Sequence, residues 1–297
     1  MEWVIETQDL RKTFGKQSAV DGLNLRVPRG SIYGFLGKNG AGKTTTIELL
    51  LNIVKPSGGH ASVFGIPVTD IARSTQVRQR IGFVSEDKDL YDFMTVAEMI
   101  RFTAPFYPRW RADLEERYLR KFELRPSQSV RSLSRGMRTK LALLLAFSRG
   151  AELLILDEPT SGLDPVMTEE VLQALVTHVA SEQMTVFFSS HQIAEVEQIA
   201  DHVTIVDRGR AVVTGALDDL RERYRRIQLV FDGDAPEPAF RSPGVTRVRR
   251  KGRVITLLSS AGSEQLASEA RALHPVSIDV SPVSLKDIFL ETVVAED

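Results

Sequence analysis

Residues Gly37 to Thr44 read Gly-Lys-Asn-Gly-Ala-Gly-Lys-Thr, two glycines five positions apart followed by lysine and a hydroxyl residue. No other segment constrains the fold as tightly. A backbone free of side chains can wrap an anion so that several N–H groups point inward, provided a strand delivers the loop and a helix leaves it. Both neighbours are present. Ser31-Ile-Tyr-Gly-Phe-Leu36 is an apolar run suited to a buried strand, and Thr45-Thr-Ile-Glu-Leu-Leu-Leu51 has a helical pattern. The competing reading is a glycine-rich surface turn ahead of an amphipathic helix, and it leaves the apolar run unexplained. The predicted ligand is a nucleotide's phosphate chain. Gly37, Lys38, Asn39, Gly40, Ala41, Gly42 and Thr45 form its cradle. Lys43 supplies a point charge, and the Thr44 hydroxyl can hold a magnesium ion. The helix that begins here aims its positive end at the same place.

At 297 residues the chain can bury a large core and is expected to hold more than one domain. A formal net charge of −1 gives no general pull toward nucleic acid. There are no cysteines, which excludes disulfides and thiolate zinc sites. The start, Met-Glu-Trp-Val-Ile-Glu, lacks the charged and apolar segments of a signal peptide. The longest purely apolar run, Leu141 to Phe147, is far shorter than the ~20 residues that cross a bilayer. The expectation is a soluble chain that reaches a membrane only by docking on another protein.

Short alternating runs, Trp3 to Glu6 and Ala19 to Val27, predict strands joined by turns at Phe14-Gly15-Lys16 and Pro28-Arg29-Gly30. Further short strands are expected near Ser62 to Phe64 and at Arg80 to Val84. Helical periodicity dominates from Thr95 to Gly150, as in Leu114, Tyr118, Leu119 and Phe122. Strand-like runs return at Leu153 to Leu156, Thr185 to Phe188 and Val203 to Val206. Helical patterns separate them, which predicts βαβ crossovers and a mostly parallel sheet. Near Leu220 the pattern breaks. Strands at Ile227 to Phe231, Val254 to Leu258 and Val276 to Val280, with helices at Ser263 to Leu273 and Ser284 to Thr292, predict a small α+β appendage. Its basic patch, Arg247 to Arg253, reads first as a solvated face and second as a nucleic-acid surface.

Leu153-Leu-Ile-Leu-Asp-Glu158 is an apolar strand that ends in two carboxylates. A parallel strand delivers its last residues to the edge of the sheet where ligands bind. Asp157 can then hold magnesium, and Glu158 can orient and deprotonate an attacking water. Followed by Pro159, Thr160 and Ser161, the same pair could merely cap a helix; the phosphate loop favours the functional reading. Phe187-Phe-Ser-Ser-His191 is a second such strand, and His191 can donate a hydrogen bond to a γ-phosphate. His60, His178, His202 and His274 read as structural. Leu133-Ser-Arg-Gly-Met137 opens another helix, whose N-terminus at Ser134 and Gly136 suits an anion.

Taken in order, these motifs resemble the ATP-binding subunits of ABC transporters from about residue 3 to 220. Gly37 to Thr44 looks like the family's Walker A motif, Leu133 to Met137 like its signature, and Leu153 to Glu158 like Walker B with the catalytic glutamate. Ser161-Gly-Leu-Asp164 looks like the D-loop and His191 like the switch histidine. Phe14 sits where the family stacks an aromatic ring on adenine. The resemblance implies an α/β P-loop fold of the ABC type. That fold has an N-terminal antiparallel β subdomain, a mostly parallel core sheet and a helical insert at about 88–150. Residues 1–220 would form the ATPase domain and 221–297 an accessory α+β domain. It implies ATP and Mg2+ as ligands, with Lys43, Glu158 and His191 catalytic and Thr44, Asp157 and Glu86 at the metal. It further implies a second ATPase subunit, identical or paralogous, whose Ser134 and Gly136 edge would contact the γ-phosphate. A separate multi-span permease would hold the chain at the inner face of the cell membrane.

Two positions depart from the family pattern. Arg135 replaces the first of two adjacent glycines in the signature, and Glu86 stands where a glutamine is usual. A carboxylate can still coordinate magnesium, but it adds negative charge near Glu158. The closing Val283-Ser-Leu-Lys-Asp-Ile-Phe-Leu290 is similar to bacterial exporter-type ATPases. Phe106-Tyr-Pro-Arg-Trp110 and the Ser-Arg-Gly-Met signature resemble the subgroup often called YtrB-like. Two alternatives remain. One is a non-transport ABC protein working on ribosomes or DNA, supported only by the basic patch. The other is a P-loop kinase, which leaves the signature and His191 without a role.

Overall fold

The computed structural model describes residues 2–237, 240–242, 244–260 and 263–293. They divide into two compact units, Met1–Ala211 and Val212–Asp297.

The first unit opens with a hairpin of β1 (Trp3–Phe14) and β2 (Gln17–Pro28). Then come β3 (Ile32–Leu36), α1 (Lys43–Leu50), β4 (Gly58–Val63), β5 (Ile66–Pro67), α2 (Ile71–Gln79) and β6 (Ile81–Val84). Strands β2, β1, β4 and β5, in that order, make an antiparallel sheet. Its strands β1 and β2 run well past the expected segments because exposed polar residues pair across the hairpin to its tip, Phe14 opposite Gln17. Helix α2 was not foreseen: only Val77 of its nine residues is buried, so it has almost no apolar stripe. Its start is fixed instead by Asp70, whose side chain accepts from the Arg73 N–H at 3.1 Å.

Next come the helices α3 (Val96–Thr103), α4 (Ala112–Lys121) and α5 (Arg135–Ser148). They occupy the region where helical periodicity dominates. Thr95 and Glu98 close α3 with reciprocal side-chain bonds, so this helix begins where its capping residues stand. The core sheet is completed by β7 (Leu153–Asp157), α6 (Pro165–Glu182), β8 (Thr185–Ser190), α7 (Ile193–Ile199), β9 (His202–Asp207) and β10 (Arg210–Ala216), the last of which spans the division at Ala211. Its order is β10-β9-β3-β8-β7-β6, and the β9–β3, β3–β8, β8–β7 and β7–β6 pairs are parallel. Strands β3, β7 and β8 are buried along their whole length, as expected for a sheet covered on both faces.

The second unit contains α8 (Leu217–Arg223), β11 (Arg225–Val230), β12 (Val245–Lys251), β13 (Val254–Ser259), α9 (Ser263–Ala272), β14 (Ser277–Pro282) and α10 (Leu285–Val293). The expected junction at residue 220 falls inside α8, whose buried Leu217 and Leu220 belong to this unit's packing. Strands β12-β13-β11-β14 form an antiparallel sheet. Ile227, Leu229, Ile255 and Leu257 pack with Leu266 and Ala270 of α9. The basic patch lies largely on a strand that the sequence pattern did not predict. This strand is β12, where Arg249 pairs with Glu291 and Arg249, Arg250 and Lys251 are exposed in succession. Among the described residues, no helix is long and apolar enough to cross a membrane.

Candidate nucleotide site

The loop after β3 turns sharply at Gly42, which caps α1 with φ at +99°. A β-carbon there would lie 2.3 Å from the Ala19 carbonyl oxygen, so both the conformation and the space require glycine. Lys43 is buried and folds back along the loop. Its Nζ donates to the carbonyls of Gly37 at 2.8 Å and Lys38 at 3.2 Å. The loop forms one wall of a cleft of about 360 Å3, with Asn39, Gly40, Gly42, Lys43, Thr44 and Thr45 along it. The tip of the β1–β2 hairpin forms another wall through Phe14, Gln17 and Ala19, and Glu86 and Glu158 complete the lining. Phe14 presents a half-exposed ring with the Lys12 ammonium over it. Such a ring is available to stack on a flat base.

Parallel pairing brings β7 and β8 into register so that Asp157 lies opposite Ser189. The Ser189 hydroxyl donates to Asp157 Oδ1 at 2.5 Å and accepts from the Glu158 N–H at 2.9 Å. Glu158 holds a left-handed backbone, φ +46°, a conformation that costs a residue with a side chain of order 1–3 kcal/mol. Its carbonyl accepts from the Ser161 N–H at 3.1 Å and from the Lys88 ammonium at 3.2 Å, which together fix the turn. The Glu158 carboxylate is buried between two cations or potential cations. Oε1 lies 3.1 Å from Lys43 Nζ, a charge contact whose angle is too poor for a hydrogen bond. Oε2 accepts from His191 Nδ1 at 2.8 Å.

Asp157, Thr44 and Glu86 offer carboxylate and hydroxyl oxygens, the hard donors that magnesium takes. No group of three or more His, Asp or Glu side chains that could hold a metal occurs among the described residues.

Not all of the predicted residues meet. Gly37 and Ala41 are packed inside the loop, and Lys38 points to solvent. Ser134 and Gly136 do not line the cleft. They form the start of α5, where Ser134 Oγ accepts from the Met137 N–H and Met167 of α6 covers Gly136. Sequence reasoning missed Ser189, whose role depends on strand register. It also missed Lys88, a buried lysine in the loop after β6. Burial holds the Lys88 pKa below the usual lysine value, and the nearby Arg135 lowers it further, against Glu86, Asp157 and Asp87. Glu195, buried and accepting from Ser190 Oγ at 2.7 Å, has its pKa raised by burial.

Comparison with known proteins agrees with this geometry. Residues 20–161 match the family model described as ABC transporter. Residues 215–293 match the C-terminal domain of ATP-binding proteins like DrrA1-3. The Nod factor export ATP-binding protein I of Cupriavidus pinatubonensis is 35% identical, covering 97% of this chain and 90% of that protein. The ABC transporter ATP-binding protein YtrB of Bacillus subtilis is 28% identical over 97% of both chains. A solved ATP-binding subunit of an ABC transporter is 31% identical, with a TM-score of 0.67 over 74% of this chain and 92% of that one.

These likenesses define a nucleotide-driven ATPase cassette. The chain belongs to the ATP-binding subunits of ABC transporters, and it binds and hydrolyses ATP. None of the three relatives points to ribosomes or DNA.

Proposed function

We propose that this chain powers a separate membrane permease of the exporter type by closing on ATP against a second ATPase subunit and opening after hydrolysis. The observation that carries the reading is the Glu158 carboxylate, held between Lys43 and His191 at the end of β7 and beside the cleft. In this reading the γ-phosphate takes over the charge of Lys43. That frees Glu158 to orient and deprotonate water, with His191 as the hydrogen-bond donor to the departing phosphate. Asp157, Thr44 and Glu86 would hold Mg2+, which when bound neutralises phosphate charge. Phe14 stacks on the base. Ser134 and Gly136 stand outside the cleft, which supports their acting on ATP bound to the other subunit, a copy or a paralogue. The second unit is an accessory domain.

An exposed aromatic patch offers a surface for the permease. Tyr91, Phe93, Phe102 and Phe106 form a chain of edge and tilted ring contacts with centroids 5.3–5.6 Å apart, yet Phe93 is 80% exposed. Exposed aromatic clusters mark interaction sites. The patch begins five residues after Glu86 in the chain. The chain would thus lie on the cytoplasmic side of the membrane through its permease. Purification from detergent-solubilised membranes tests this. A multi-span protein should co-purify with the chain; recovery of ribosomes or DNA instead would overturn the reading.

A further inference from the structure

The two positions that depart from the family pattern meet at one loop. Arg135 is the first residue of α5, and among the described residues no acidic side chain pairs with it. A cation at a helix N-terminus faces the positive end of the helix dipole, an unfavourable place for it alone. Its guanidinium lies against Gly162, where a β-carbon would come within 2.1 Å of Nη1. Gly162 also has φ at +68°, a conformation that favours glycine. The preceding residue, Ser161, donates through Oγ to Glu86 Oε1 at 3.2 Å. Glu86 in turn lines the nucleotide cleft. Two steps of contact therefore run from the signature helix to the cleft: Arg135 onto Gly162, then Ser161 onto Glu86. Lys88 lies at the base of the same loop on the Glu158 carbonyl, within the field of both Arg135 and Glu86.

We propose that Arg135 and Glu86 are a matched pair joined by the Ser161–Gly162 segment, with Arg135 the positioning residue that fixes where the Glu86 carboxylate stands. Each is awkward alone. Glu86 adds a negative charge to a cleft that already holds Glu158 and must accept phosphates. Arg135 adds a positive charge to the positive end of a helix. Present together they introduce no net charge, and the guanidinium holds the loop whose serine orients the carboxylate. A neutral glutamine and a glycine at these positions would also be balanced, whereas either mixed combination would not.

The inference rests on the reading that Glu86 serves bound nucleotide. A four-member kinetic cycle on the full-length chain tests it, using steady-state ATPase with ATP affinity and Tm measured in parallel. Arg135→Gly and Glu86→Gln should each lower kcat about tenfold, with the KM for ATP changed by less than about threefold. The double variant should return to within about threefold of the original, because residues in one network do not contribute additively. A double variant down about a hundredfold, the product of the single losses, overturns the pairing. So do single losses that follow a fall in Tm and are not restored in the double variant. Glu86→Ala separates this from the underlying reading. If it leaves both ATP affinity and kcat unchanged, Glu86 does not serve the nucleotide and the pairing falls with that reading. If it lowers both while the cycle multiplies, the pairing alone fails.

Discussion

Glu158 combines a left-handed backbone with a carboxylate shared between Lys43 and His191. Ser189 is the smallest part that makes this possible, because one hydroxyl serves the Asp157 side chain and the Glu158 amide. Ser189→Ala leaves a buried N–H without a partner and releases Asp157, a cost of about 1–3 kcal/mol. It should lower kcat at least about tenfold with little change in ATP affinity; unchanged turnover in a steady-state assay would show that the hydroxyl has no such part. Asp157, Glu158 and the Gly37–Thr44 loop were legible in the sequence because each ends an apolar strand or follows one directly. Ser189 and Lys88 were not. Their partners lie 32 and 70 positions away, and only strand register and a folded loop bring them together. His178 reads as structural from sequence and is found buried, bonded through Nδ1 to the Tyr118 hydroxyl at 3.0 Å.

Among the elements, that histidine joins three helices. It lies on α6, stacks on Phe147 of α5 at 4.0 Å and meets Tyr118 of α4. Burial lowers its pKa from 6.5 to about 3, with Arg117, Arg111 and Lys121 pushing the same way. Between those values the unfolded chain takes up a proton that the folded chain refuses. The contribution to stability is therefore complete above pH 6.5 and is lost as pH falls toward 3, by about 1.4 kcal/mol per pH unit. Denaturant melts between pH 7 and pH 5 should show a steeper loss in the natural chain than in His178→Leu; equal slopes would contradict the assignment. Elements with strong apolar patterns were readable, including β3, β7, β8 and α5. The misjudged ones lacked such patterns. Helix α2 buries a single residue, and β12 shows no alternation because Arg249, Arg250 and Lys251 are exposed in succession.

For the whole molecule, the proposed function needs a membrane partner and a second ATPase subunit. The membrane partner rests on the aromatic patch. Replacing Phe93 and Phe106 with aspartate should abolish retention of the chain in membranes that contain its permease. ATP affinity of the purified chain should stay unchanged, since neither ring lines the cleft. Full retention of the double variant would place docking elsewhere. The order of motifs made the ATPase legible, but the sites for its partners depended on which side chains the fold leaves exposed. The most direct test of the central claim, that Glu158 is the base in a site closed by another subunit, is Glu158→Gln followed by ATPase assay and light scattering. Turnover should fall by at least about a hundredfold, while ATP binding persists and ATP brings about a dimer. A variant that hydrolyses ATP at the natural rate, or binds ATP without ever dimerising, would contradict that claim.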